Sequence, residues 1–315
     1  MKINSKFIST FNSLKNKPRL RVKKFTLFLA RIIFLSSILG YLVYKLSIIG
    51  WYDVLREMPK LTSFYFLFLL IYFIQPLVEY LIYRFLWGLS FFTCLHVFLR
   101  KRVFNFGIID YLGDVFFFNW ARKNLNYSNK QIFSKIKDVN VLSGLSSNLL
   151  TIFLICLFFL SDQMNLLVSS SSLTISYIIS FLIIGLIILI IFLFLNKYIL
   201  SLSRKTSLII FSIHTLRLLF IATLQLLQWS LVLPEVPLSS WFLFLTANFL
   251  VTRIPLIPNK DLTLAVLGVS LAGYINADIT IITALFLVSG ALNQLLNFFI
   301  FLLTTFNYKR LNSNL

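Results

Sequence analysis

The chain has 315 residues, of which 59% are hydrophobic and 12% charged, with a mean hydropathy of +0.89. A water-soluble domain of this composition would expose large apolar patches, so the composition excludes that class and indicates an integral membrane protein. The formal charge of +19 would indicate nucleic acid binding in a soluble protein. In a membrane protein the same basic residues gather in cytoplasmic loops, so no nucleic acid partner is expected.

The N-terminal tail, residues 1–24, carries eight basic residues and no acidic residue, which is typical of a segment kept in the cytoplasm. The apolar run 25–44 is long enough to cross a bilayer and too long for a signal-peptide core, so we predict an uncleaved first span. The membrane domain extends over 25–306, and a cytoplasmic tail follows at 307–315. Five further spans are predicted near residues 61–82, 139–160, 173–195, 208–232 and 279–306.

The stretch 241–275 differs from these spans because a proline-containing break, Arg-Ile-Pro-Leu-Ile-Pro-Asn-Lys-Asp at 253–261, divides it into two short apolar pieces. Pro255 and Pro258 disfavour helix at and before their positions, so the entering helix must break. Each piece is shorter than the roughly 17 residues of a minimal span. We therefore favour a hairpin that enters and leaves on one side, with two tilted crossings as the alternative.

The distribution of basic residues along the chain provides a check on this arrangement of membrane spans. The N-terminal tail, the loops 83–138 and 196–207 and the C-terminus together hold 22 of the 29 Lys and Arg residues. Six crossings plus one hairpin place all four segments on the cytoplasmic side, as the positive-inside rule requires. The chain is thus predicted to be a multi-pass membrane protein with both termini in the cytoplasm.

The cytoplasmic segment 104–120 is strongly apolar, but Gly107, Asp110, Gly113 and Asp114 interrupt it and basic residues flank it. This pattern resembles a second dipping or interfacial element. One hairpin would then enter from the cytoplasm and the other from outside, which suggests two inverted halves. The fold class is an all-α polytopic membrane protein with six to eight transmembrane helices and one or two re-entrant or broken helices.

Polar side chains inside two spans form faces at helical spacing. His214, Arg217, Gln225 and Gln228 share one face of the span near 208–232. An arginine at that depth must face a partner or water rather than lipid. Glu79, with Gln75 one turn earlier, forms a second polar face, and we predict that Glu79 pairs with Arg217. Such a pair could serve only to hold the two helices together, or it could take part in function; the sequence favours neither interpretation.

The span after the cytoplasmic segment carries a stripe of small and polar residues. Helix packing explains such a stripe, because small residues let helices approach and Ser or Asn side chains bond across; lining a cavity is the alternative. A similar pattern recurs on the last span. The two patterns comprise Asn140, Ser143, Gly144, Ser147, Asn148 and Thr151, and then Ser289, Asn293 and Asn297.

The proline break allows three interpretations. Asn259, Lys260 and Asp261 suit the cap of the helix that follows, with the carboxylate at its positive end. Alternatively, the ends of the broken helices bind an anionic lipid headgroup together with Arg253 and Lys260. In the third interpretation the break lies at the cytoplasmic surface.

Catalytic and metal-binding patterns are lacking in the sequence. It contains no nucleotide-binding loop, HExxH motif or nucleophile elbow, and its acidic residues are scattered. Cys94 and Cys156 imply no disulfide or zinc site, and His96 is isolated. We expect no cofactor, no metal and no enzymatic activity. A lipid-modifying enzyme, the less favoured alternative, would depend on Glu79, Asp110, Asp114 or Asp261.

Four motifs together resemble a flippase-like family that shares the transmembrane region of lysylphosphatidylglycerol synthases. They are Ile-Gly-Trp at 49–51, Tyr-Leu-Gly-Asp-Val-Phe-Phe-Phe-Asn-Trp-Ala-Arg at 111–122, Ile-Lys-Asp-Val-Asn-Val-Leu-Ser-Gly-Leu-Ser-Ser-Asn at 136–148, and Pro-Leu-Ile-Pro-Asn-Lys-Asp at 255–261. The resemblance implies a multi-pass protein of the cell inner membrane with re-entrant elements, which moves or handles anionic or isoprenoid-linked lipids. Asp114 and Asp261 stand where family members often carry glutamates, and Pro-Asn-Lys replaces the glycines of the second element. Lipid aminoacylation by this chain alone is not implied.

These patterns favour a translocator of lipids or lipid-linked saccharides, with membrane lipids as its partners. Its polar centre would combine Glu79, Arg217, Arg253, Lys260 and Asp261. The alternative is a scaffold or accessory subunit that partners a membrane synthase of lipids or glycans. A translocator predicts a water-accessible cavity that joins both hairpins, whereas a scaffold predicts a dry interior.

Overall fold

The computed structural model describes residues 50–108, 111–160, 199–253, 260–272 and 278–312, with isolated positions at 40, 43, 44, 47 and 183. Regular structure within these ranges is entirely helical, which confirms the predicted all-α class. A π-helical turn, Phe104–Ile108, directly follows the third helix. The α-helices are α1 (Trp51–Arg56), α2 (Thr62–Trp87), α3 (Phe91–Val103), α4 (Leu112–Asn124), α5 (Asn129–Leu160), α6 (Arg204–Val232), α7 (Leu238–Arg253), α8 (Lys260–Ala272) and α9 (Ile279–Asn312).

Four of these helices are long and apolar enough to cross a membrane: Thr62–Trp87, Asn129–Leu157, Arg204–Val232 and Ile279–Thr305. They coincide with four of the six predicted spans, because about 20 consecutive apolar residues are readily recognised in a sequence. Apart from the isolated positions 40, 43, 44 and 183, the other two predicted spans, 25–44 and 173–195, lie outside the described residues.

Two of the long helices, α5 and α6, begin at polar caps rather than at the first apolar residue. α5 starts at Asn129, well before its predicted start at residue 139. The Ser128 hydroxyl accepts a hydrogen bond from the Gln131 amide at 3.3 Å, and the Gln131 side chain accepts one from the Ser128 amide at 3.0 Å, which is a capping box. α6 is capped by Ser203, whose side chain accepts from the Thr206 amide at 3.2 Å.

The helix lengths follow the same order twice along the described chain. α2 to α5 have 26, 13, 13 and 32 residues, and α6 to α9 have 29, 16, 13 and 34. Two short helices therefore stand between two long ones in each half. The sequence predicted the second short pair, but in the first half it missed α3, which is a separate helix before the predicted element 104–120.

Two aromatic clusters hold the helices together. In the first, the ring centroid of Trp229 on α6 lies 5.8 Å from that of Trp241 on α7 and 5.4 Å from that of Phe286 on α9. Tyr83 packs against Phe117 of α4 at 4.6 Å and belongs to the cluster that joins α2, α3 and α4. Large buried rings dominate packing energies in helical cores.

A buried carboxylate, Asp138 on α5, fixes the chain just before α6. Its Oδ2 accepts hydrogen bonds from the Ser201 amide at 2.7 Å, the Ser201 hydroxyl at 2.6 Å and the Leu202 amide at 3.0 Å. Lys137 Nζ lies 3.1 Å from Asp138 Oδ1 and also donates to the Ile199 carbonyl. These bonds satisfy backbone donors that the turn into α6 would otherwise leave without partners.

Candidate functional site

A cavity of about 510 Å³ lies among α2, the first pair of short helices, α5, α6 and α7. The first short pair contributes its tip, where the π turn meets α4, and the second contributes the C-terminal part of α7. The polar side chains on its wall are Gln75, Glu79, Lys101, Asn105, Tyr111, Asp114, Asn140, Ser143, Ser147, Asn148, Arg217, Asn248, Thr252 and Arg253. The tips of both short pairs therefore border one polar cavity.

An ion-paired cluster joins three helices at this cavity. Lys101 Nζ of α3 lies 2.8 Å from Glu79 Oε2 of α2 and 3.0 Å from Asp114 Oδ1 of α4. The rings of Tyr83 and Phe117 cover the ammonium from 5.6 and 5.4 Å. Because Lys101 is only 2% exposed, its charge is compensated by these two carboxylates rather than by bulk water.

Gly113 is what lets α4 begin close enough to α3 for this cluster to form. Its amide donates a hydrogen bond of 2.7 Å to the Asn105 side-chain oxygen. A Cβ at Gly113 would lie 2.1 Å from the Lys101 carbonyl oxygen and 2.7 Å from Asn105 Oδ1. Asn105 also donates to Asp114 Oδ2 at 3.4 Å, so the tip presents the carboxylate to Lys101 in a fixed position.

Two guanidinium groups face the cavity without a carboxylate partner among the side chains that the structure describes. Arg217 on α6 is 9% exposed and donates to the Ser143 hydroxyl at 3.4 Å. Arg253 at the end of α7 donates to the Thr252 hydroxyl from Nε at 3.3 Å and from Nη2 at 3.1 Å. None of the ion pairs within the described ranges includes either arginine. Both cations are therefore open to an anionic ligand.

The predicted pair between Glu79 and Arg217 is wrong, because Glu79 contacts Lys101 instead. Lys101 reaches Glu79 from a helix that the sequence did not reveal, and it takes the place of the expected partner. Arg217 and Glu79 nevertheless line the same cavity.

Most residues of the small polar stripe on α5 line the cavity. Asn140, Ser143, Gly144, Ser147 and Asn148 belong to the wall. A Cβ at Gly144 would have nothing within 4 Å, so this glycine faces open space rather than a packed helix. The alternative that treated the stripe as a cavity lining describes these residues better than helix packing does. The last member, Thr151, is instead buried and donates to the carbonyl of residue 147 within its own helix at 2.8 Å.

Other polar residues of the predicted faces hold helices together. Gln228 donates to the Phe64 carbonyl of α2 at 3.0 Å and accepts from Gln225 at 2.9 Å. On α9, Asn297 accepts from the Tyr72 hydroxyl at 2.7 Å. Packing is therefore the better interpretation at these positions.

The remaining predicted site residues either lie away from the cavity or fall outside the described part of the chain. His214 is 1% exposed on the same face of α6 as Arg217 but does not border the cavity. Asp110 and Asn259 lie outside the described residues. Lys260 and Asp261 are the first two residues of α8, and their side chains are likewise outside the described part.

The structure adds Lys101 and Asn105 to the predicted residues. Lys101 stands in the run Arg100-Lys-Arg102, which as a sequence is typical of a cytoplasmic loop. Its neighbours reach α9: Arg102 donates to Asn293 at 3.2 Å, and Arg100 donates to the Thr304 carbonyl at 3.3 Å. The sequence signal for this cluster was three consecutive basic residues beside an apolar segment with two aspartates, because a buried cation needs carboxylate partners.

Comparison of the chain with known protein families, with curated proteins and with solved structures finds no match.

Proposed function

We propose that the chain crosses the membrane six times and that the α3–α4 and α7–α8 pairs are re-entrant hairpins from opposite sides. The helices of both pairs have 13 to 16 residues, fewer than the roughly 17 of a minimal span. Arg122 and Lys123 end α4, and Arg204 and Lys205 begin α6, which supports a cytoplasmic location for the first hairpin. Glu235 precedes α7 on the opposite side, where basic residues are scarce.

In this arrangement the protein translocates lipids that carry an anionic or isoprenoid-linked headgroup. The observation that carries the proposal is the polar cavity bordered by both hairpin tips, with Arg217 and Arg253 open to an anion. Guanidinium groups bind phosphate through paired, charge-assisted hydrogen bonds. The cavity wall carries one net positive charge, from the three cations Lys101, Arg217 and Arg253 and the two carboxylates Glu79 and Asp114.

The size and lining of the cavity suit a headgroup rather than a whole lipid. A volume of about 510 Å³ is within the usual range of small-molecule sites. Phe106, Leu218, Ile221 and Phe249 add an apolar side to the polar wall. The headgroup and the start of its chain are accommodated there, while the rest of the chain stays in the bilayer.

The same features support translocation over the two alternatives. A scaffold would use its polar faces only to join helices, and a dry interior would be expected. An acid–base enzyme would need a carboxylate available to its substrate, whereas Lys101 engages both Glu79 and Asp114. We also propose that the chain is related to the flippase-like family and lies in the inner membrane. Asp114 would then stand at the acidic position of the family's first element.

Transbilayer movement in reconstituted vesicles tests the function. Fluorescent phosphatidylglycerol and phosphatidylcholine with identical chains are compared, and an isoprenoid phosphate serves as the second anionic probe. We expect the protein to accelerate the anionic lipids, and Gly144→Phe to abolish the acceleration because the new ring enters the cavity. Thr223→Phe adds the same ring on the exposed side of α6 and serves as the control. A wild-type protein that moves neither anionic lipid contradicts the proposal.

A further inference from the structure

Four carboxamide side chains lie on the wall of the cavity and take no part in the ion-paired cluster. They are Gln75 on α2, Asn140 and Asn148 on α5, and Asn248 on α7. Within the described ranges none of the four is hydrogen-bonded to another residue. Together they form a carboxamide wall whose donors and acceptors are available to a molecule in the cavity.

A buried hydroxyl on α5 also lacks a partner at this wall. Ser147 is 3% exposed and borders the cavity, yet its Oγ has no hydrogen bond among the described residues. The neighbouring Ser146, which is also buried, donates to the carbonyls of Leu142 and Phe211 at 3.0 and 3.2 Å. Because buried hydroxyls are ordinarily hydrogen-bonded, the exception at Ser147 points to a partner held in the cavity.

The carboxamide wall adjoins both cavity arginines. Arg217 donates at 3.4 Å to the α5 hydroxyl that lies three residues after Asn140. Arg253 donates to Thr252, which lies four residues after Asn248 on α7. Residues three or four apart share one side of a helix, so a phosphate held by the arginines has carboxamides beside it.

The chemistry of these groups selects among lipid headgroups. A carboxamide is uncharged, and it both donates and accepts hydrogen bonds, as a serine hydroxyl does. Hydroxyl groups of a ligand match this combination, whereas a choline headgroup has no donor. The ammonium of an ethanolamine headgroup would need a carboxylate, and Lys101 already engages Glu79 and Asp114 at 2.8 and 3.0 Å. The wall therefore suits a headgroup that carries hydroxyl groups.

The net charge of the cavity wall suits a ligand with a single negative charge. Its three cations and two carboxylates leave one positive charge. A phosphodiester supplies one negative charge, whereas a phosphate monoester carries about 1.5 to 2 at neutral pH. Once a phosphodiester has matched the wall, a second charge on the headgroup would be left without a partner. The rest of the headgroup is therefore expected to be uncharged.

We propose that the carboxamide wall is a subsite for an uncharged, hydroxyl-rich group, either glycerol or a sugar, joined to the lipid by a single phosphodiester; this inference rests on the function proposed above. Arg217 and Arg253 hold the phosphate, and Gln75, Asn140 and Asn248 bind the hydroxyl groups. The arginines select an anionic lipid, and the carboxamide wall selects among anionic lipids.

Binding of three fluorescent lipids with identical acyl chains to the purified full-length protein tests this inference. Phosphatidylglycerol and phosphatidylinositol present hydroxyl groups, whereas phosphatidylethanol has the same phosphodiester charge and no hydroxyl group. We expect wild type to bind the hydroxylated lipids about 5- to 100-fold more tightly than phosphatidylethanol, since two neutral hydrogen bonds contribute about that factor. A preference for phosphatidylglycerol alone supports glycerol as the ligand group, and a preference for phosphatidylinositol alone supports a sugar-like ring.

The double variant Asn140→Leu with Asn248→Leu removes two carboxamides and keeps side chains of similar size. It should bind all three lipids with the affinity that wild type has for phosphatidylethanol. Asn129→Leu, at the exposed start of α5, is the matched control and should keep the wild-type preference.

Wild-type protein that binds the three lipids equally overturns the subsite but leaves anion binding by the arginines intact. The inference is also overturned if the double variant keeps the preference, or if it loses phosphatidylethanol as well, which would show a structural role for the two asparagines. Wild-type protein that binds none of the three lipids overturns the proposed function itself.

Discussion

Replacement of Lys101 by Met is expected to destabilise the protein by about 3–5 kcal/mol, the usual effect of removing one partner from a buried ion pair. The methionine keeps the apolar stem but leaves Glu79 and Asp114 facing each other without the ammonium that now lies 2.8 and 3.0 Å from them. Because those carboxylates border the cavity, hydration will reduce the loss toward the lower value. Thermal denaturation of the purified protein in detergent measures the effect.

Two variants separate this effect from a general loss of a lysine. Lys123→Met removes an exposed lysine from α4 and should change stability by no more than about 0.5 kcal/mol. Addition of Glu79→Gln and Asp114→Asn to Lys101→Met should recover most of the lost stability, because no carboxylate is then left without a cation. Equal stability of Lys101→Met and Lys123→Met would show that the ion-paired cluster does not hold the first short pair to α2.

Loss of the two cavity arginines is expected to have the largest effect on ligand binding. Hydrogen bonds to charged groups contribute about 1.5–3 kcal/mol each, so Arg217→Gln or Arg253→Gln alone should weaken binding of phosphatidylglycerol by about 10- to 100-fold. The double variant should bind more weakly than either single variant. Glutamine retains a donor for Ser143 or Thr252, so the hydrogen bonds of 3.4 and 3.1 Å within the protein have a substitute.

The control for these variants is Arg56→Gln, which removes an exposed arginine from α1. It should leave the affinity for the same fluorescent lipid unchanged. Binding of wild type should also weaken as salt is raised, because the attraction between the arginines and the phosphate is screened. A double arginine variant that binds phosphatidylglycerol as tightly as the Arg56→Gln protein would exclude these two side chains as headgroup ligands.

The long helices were predictable from sequence because they depend on a local property. α2, α6 and α9 are each longer than 25 residues and mostly apolar, and a bilayer span needs little more than that. The positions of Glu79 and Arg217 on polar faces followed from helical periodicity in the same way. Periodicity places a side chain on a face, but it does not say which neighbouring helix presents the partner.

The ion-paired cluster was not predictable because it depends on tertiary contact. Lys101 lies within a basic run that the positive-inside rule assigns to a loop, and α3 has no long apolar stretch to reveal it. Its true partners come from α2 and α4, and the approach of α4 depends on the missing Cβ of Gly113. The glycine is visible in the sequence, but the carbonyl oxygen that would lie 2.1 Å from a Cβ at this position is a property of the fold alone.

We propose that an anionic lipid headgroup occupies the cavity between the tips of the two short helix pairs. Photo-crosslinking with a phosphatidylglycerol that carries its reactive group near the headgroup tests this most directly, with the labelled residues identified by mass spectrometry. Occupancy of the cavity by the headgroup predicts adducts on both tips, at residues such as Phe106 and Phe249, and their loss in the double variant Arg217→Gln with Arg253→Gln. Adducts confined to exposed residues such as Phe298 and Phe299, and unchanged in that variant, would contradict it.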